Sequence, residues 1–91
     1  MSVAATMRAK LDARFAPTRL DIVDVSSRHE GHAGARPGGE THFNVTIVSG
    51  VFAGLGRVAR QRLVYDTLAH ELASGVHALS LTTLAPDEGR G

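Results

Sequence analysis

Soft-metal chemistry in this chain must come from imidazole, because the sequence holds five histidines and no cysteine. His29 and His32 form an H-x-x-H pair in the glycine-rich segment SSRHEGHAGARPGGE, residues 26–40, and His42 follows just after it. His77 opens a later apolar run, while His70 stands apart. A second cluster is cationic. Arg57, Arg60 and Arg62 follow Gly54 and Gly56, an arrangement that suits a phosphate at a helix N-terminus. Both clusters also have ordinary readings. A histidine at a strand start is commonly half-buried and hydrogen-bonded. Arginines at a helix start are commonly solvated or paired with carboxylates.

The elements that must position these residues follow from hydrophobic period. Val3, Met7, Leu11 and Phe15 recur at every fourth position, which predicts a helix over about 3–15 with one apolar face. Pro17 forbids its continuation. Leu20 to Val25 is a short β-branched run and predicts a strand. Residues 26–40 have no period and read as a long loop, a kind that tends to be functional or mobile. Phe43, Val45 and Ile47 alternate with His42, Asn44 and Thr46, the pattern of a strand with one buried face. After Ser49-Gly50 and the connector VFAGLG, a long helix is predicted from Arg57 to Ala73. Val58, Gln61, Val64, Tyr65, Leu68, Ala69 and Leu72 form its apolar stripe, with Asp66 and His70 elsewhere on the wheel. Ser74-Gly75 supplies the stop, with glycine suited to a left-handed cap. His77 to Leu84 is the last strand, with Leu79 and Leu81 on the face of His77.

Connectivity then predicts convergence. A loop between the first two strands favours an antiparallel pair, and a helix between the second and third favours a right-handed crossover between parallel strands. Parallel strands begin at the same end of a sheet, so His42 and His77 should share an end with the loop that carries His29 and His32. His70 is left alone on the helix.

Composition bounds the rest. The chain has 91 residues and a formal net charge of +1, which fits one domain and excludes a strongly basic nucleic-acid binder on total charge. The absence of cysteine suits a reducing compartment. No run reaches membrane-spanning length and the start MSVAATMRAKLDARF has no apolar core of a signal peptide, so a cytoplasmic domain is expected. Residues 1–91 are expected to form one domain, with 1–2 and 86–91 frayed.

The segments LDIVDVSSRHEGHAG, ETHFNVTIVSGVFAGLGRVARQRLVYDTLAHEL and GVHALSLTTLAPDE together resemble the BolA family over most of the chain. That resemblance implies an α/β (α+β) fold of the class II KH-like type. Its order is helix–strand–strand–helix–strand, with helices covering one face of a three-stranded mixed sheet. It also implies a non-enzymatic partner for monothiol glutaredoxins, sharing or receiving a [2Fe–2S] cluster in iron–sulfur trafficking or iron-responsive regulation. His77 in the VHAL run would be one ligand, and a loop histidine, His32 or His29, the other. The glutaredoxin and its glutathione would supply thiolates, while this chain supplies nitrogen, as two histidines do in Rieske-type centres. The chain departs from the family pattern at two places. Asp24-Val25-Ser26 stands for a usual Asp-Glu-Ser, and Arg60-Gln61-Arg62 for a usual Arg-His-Arg.

Other classes are weaker. The family's KH-like fold keeps a DNA-binding transcriptional regulator as the alternative, carried by Arg57, Arg60 and Arg62. One Tyr and no Trp leave few platforms for stacking single-stranded bases. Gly31-His32-Ala33-Gly34 matches GXXG literally but lies in the loop between two strands, not between helices as a KH clamp does. Glu30 and Glu40 flank the loop histidines, yet no HExxH helix or recognisable nucleophile suggests catalysis. DNA and a second copy of the chain remain open as further partners.

Overall fold

A computed structural model describes residues 2–25 and 41–88. Helix α1, Val3–Phe15, is capped by the Ser2 side chain, which accepts from the Ala5 N–H at 3.0 Å. Met7, Leu11 and Phe15 are buried and Val3 is partly buried, so the predicted four-residue repeat is the face that packs. The helix stops at Ala16, which takes a left-handed conformation (φ 44°) just before Pro17.

Strand β1, Arg19–Asp24, lies antiparallel to β2, His42–Val48, and β2 lies parallel to β3, Ala78–Leu84, giving the order β1-β2-β3. Register fixes the faces. Leu20 pairs with Ile47, Ile22 with Val45, and Phe43 with Leu79; these side chains meet the helices in one core. Ala78, Ser80 and Thr82 of β3 are exposed on the other face.

A short 3₁₀ turn, Gly50–Phe52, follows β2 and buries Phe52 against Phe15, ring centroids 5.2 Å apart. Gly54, at φ 80°, lets the chain reverse into the next helix. Buried Ser49 ties this corner together. Its hydroxyl donates to the Phe15 carbonyl at 2.6 Å and accepts from the Val51 N–H at 3.2 Å.

The predicted long helix is two pieces, α2 over Arg57–Thr67 and α3 over Ala69–Ser74, separated at Leu68. The Thr67 hydroxyl donates to the Leu63 carbonyl at 2.8 Å, a back-bond that competes with the helical ladder and bends helices. The apolar stripe is also rotated from the expected one. Val64 and Leu68 are fully buried and Leu63 and Leu72 partly so, but Val58, Tyr65 and Ala69 face outward. Gly75 is not a left-handed cap, since its φ of 163° is extended backbone. In the C-terminal segment, Glu88 accepts from the Ala85 N–H at 2.8 Å and pairs with Arg60.

Candidate functional site

Parallel pairing of β2 and β3 brings their starts together, and this is where two imidazoles meet. His42 pairs in register with Ala78, and the His42 and His77 ring centroids lie 6.2 Å apart, tilted by 38°. Thr41 anchors both. Its carbonyl accepts from the N–H groups of His77 (2.7 Å) and Ala78 (3.2 Å), while its buried hydroxyl lies 2.9 Å from His42 Nδ1. The His42 carbonyl in turn accepts from the Val25 N–H at 2.9 Å, so the end of the first strand's segment reaches the same place. His42 is half-buried and His77 exposed. The ordinary reading of His42, a hydrogen-bonded histidine at a strand start, describes its position well. His77 has its backbone N–H held by Thr41 and is exposed.

His29 and His32 lie outside the described residues, as does their expected approach to this end. Among the described residues no group of three or more histidine, cysteine or carboxylate side chains is placed to hold a metal ion. The donor set nevertheless fits a shared iron–sulfur cluster in one respect. The exposed His77 imidazole on a fixed backbone could supply one nitrogen ligand to a sphere that a thiolate-bearing partner helps complete. Sequence reasoning missed Thr41, which needed both its burial and the register to be recognised.

The arginine cluster is divided by the fold. The Arg60 side chain is only 12% exposed and its donors are already engaged. Nε donates to the Leu55 carbonyl at 2.8 Å, and one terminal nitrogen donates to the Thr83 carbonyl at 3.1 Å and to Glu88 at 2.6 Å. The hydrogen bond from Arg60, then that from the Ala85 N–H, holds the Glu88 carboxyl below its ordinary range, and the same ion pair raises Arg60. Arg57 and Arg62 are exposed. No helix among the described residues is long and apolar enough to cross a membrane.

Comparison with known proteins identifies the family and agrees with the fold. Residues 11–88 match the BolA family, described as BolA-like protein. The chain is 51% identical over 87 residues to the chloroplastic protein BOLA1 of Arabidopsis thaliana, covering 93% of this chain and 54% of that one, so it spans about half of that relative's length. It is 42% identical over 91 residues to the DNA-binding transcriptional regulator BolA of Escherichia coli (strain K12), covering 100% of this chain and 83% of the relative. The solved structure of BolA1 from Arabidopsis thaliana superposes with a TM-score of 0.87 at 45% identity, covering 98% of both chains.

Proposed function

From the premise that the chain belongs to the BolA-like family, we propose that it is a non-enzymatic cytoplasmic adaptor that binds a monothiol glutaredoxin and shares or receives a [2Fe–2S] cluster. The single observation that carries this reading is the exposed His77, held by the Thr41 carbonyl beside His42 at the sheet end. His77 serves as one ligand. The other is His32 or His29, from the segment that joins Val25 to Thr41. When bound, the cluster supplies iron sites that accept imidazole as well as thiolate, and neutral nitrogen ligands raise its reduction potential. Thr41 keeps His77 in place, and His42 lines the same end. The partner's cysteine and glutathione complete the ligand set, so this chain alone holds only part of it.

The test is anaerobic reconstitution with a monothiol glutaredoxin and glutathione, read by visible absorption and circular dichroism. A spectrum distinct from that of the glutaredoxin alone, lost in His77→Ala and in one of His29→Ala or His32→Ala, supports the reading. Tight stoichiometric cluster binding by the purified chain alone contradicts it.

A second reading, as a DNA-binding regulator, is favoured by the name of the Escherichia coli relative and by exposed Arg57 at the start of α2 and Arg62 midway along it. Arg60 contributes least to it, because its donors serve the fold. DNA affinity that falls steeply with salt supports this role, and a flat response removes it.

A further inference from the structure

A cavity of about 220 Å³ lies between the first turn of α1 and the end of α3, away from the arginine cluster. Val3 and Thr6 form one side, His70, Glu71 and Ser74 the other, and Gly75 and Val76 close it where the chain turns toward His77. Glu71 is unusual here. Its residue is only 6% exposed, and one carboxylate oxygen receives a 2.7 Å ion pair from Lys10. The other oxygen is buried and has no hydrogen-bond partner among the described residues. Ionised carboxylates have about four lone-pair sites, and leaving a buried one without a donor is costly.

The remaining polar groups point to the same need. The Thr6 hydroxyl donates to the Ser2 carbonyl at 3.1 Å, and the Ser74 hydroxyl donates to the His70 carbonyl at 2.8 Å. Both hydroxyl hydrogens are therefore committed, and each oxygen has only lone pairs left to offer. Three residues on the cavity wall thus carry unused acceptor capacity, while Val3 and Val76 add apolar surface. The last torsion of a glutamate is soft, and binding at this cavity requires a rotation that brings the unpartnered oxygen to its wall. Lys10 meets only one of the two carboxylate oxygens, from a side chain that is 37% exposed.

We propose that this cavity is a binding site for an alkylammonium group, with its three N–H donors met by Glu71, Thr6 and Ser74 and its carbon stem against Val3 and Val76. The volume suits a single side chain or a small amine and lies below that of a drug-sized pocket. The site stands independently of cluster sharing. Its closing turn, whose Gly75 and Val76 N–H groups both donate to the Glu71 carbonyl, leads directly into His77.

The test is an amide-shift titration of the full ¹⁵N-labelled chain with n-butylammonium chloride, using tetramethylammonium chloride at equal ionic strength as the control that lacks N–H donors. Saturable shifts at Thr6, Ser74, Gly75 and Val76 are expected with butylammonium only. Thr6→Val should weaken binding about tenfold, the effect of losing one charge-assisted hydrogen bond, and Glu71→Gln should weaken it more. Thr6→Val decides the matter alone if Glu71→Gln fails to fold. N-acetyl-lysinamide separates the two sources: tighter binding than butylammonium assigns the site to a lysine of a partner protein, and equal binding to free amines. Shifts that do not saturate, that match those of tetramethylammonium, or that are indifferent to Thr6→Val overturn the proposal.

Discussion

The two ends of the β2–β3 pair use polar side chains in opposite ways. Where the strands finish, Arg60 is drawn inward and bonded to Leu55, Thr83 and Glu88, and Ser49 is bonded to Phe15 and Val51. Where they begin, backbone groups do the fixing through Thr41, and the His77 ring is left outward beside His42. Polar groups at the first end are spent on folding. At the second, at least one chemically versatile side chain is left available. An arginine cluster therefore does not by itself mark a functional surface, since its most central member here is a structural brace.

This contrast is sharpened by substitution. The largest stability loss is expected at the finished end from Phe52→Ala, which empties a fully buried site against Phe15; about 3–5 kcal/mol should be lost in urea unfolding. Arg60→Met is expected to lower the urea midpoint clearly, because the Leu55 and Thr83 carbonyls lose a donor and Glu88 its partner. Arg57→Met and Arg62→Met, on exposed side chains, should each stay within about 0.5 kcal/mol of the parent. If all three arginine changes proved equal, the contrast between the ends would be wrong.

The Arg60–Glu88 pair also carries a pH signature. The Glu88 carboxyl is lowered from its ordinary value of 4.5, first by Arg60 and then by the Ala85 N–H. A lowered carboxylate stabilises the fold fully above that ordinary value and loses its contribution as pH falls through the lowered one. Glu88→Gln should therefore cost stability near neutral pH, and the gap from the parent should close in acid. A gap that is constant down through that range would show that the pair is not coupled to folding.

The same contrast explains what could be read in the sequence. The α1 face, the alternating β2 pattern and the parallel crossover were legible because apolar period and connection length set them directly. The meeting of His42 and His77 followed from that topology alone. The inward face of α2 and α3 was misjudged because the long apolar-stemmed Arg60 and the ion-paired Glu71 occupy positions where a hydropathy wheel expects solvent. Val58 and Tyr65 took their places in the expected stripe yet lie exposed. The break at Leu68 lies beside a hydroxyl back-bond from Thr67, and Glu88 is anchored on a partner 28 residues away; neither has a periodic signal. His29 and His32, outside the described residues, rest on the sequence reading alone.

A small folding effect and the largest functional one should coincide at His77. Its exposed ring predicts a stability change within about 0.5 kcal/mol for His77→Ala. The decisive measurement is visible circular dichroism of the anaerobically reconstituted complex with a monothiol glutaredoxin and glutathione, comparing parent with His77→Ala. A heterodimer spectrum present in the parent and absent in the equally stable variant is the predicted result. An identical spectrum in both, or no complex with the parent, would contradict the assignment of His77 as a cluster ligand.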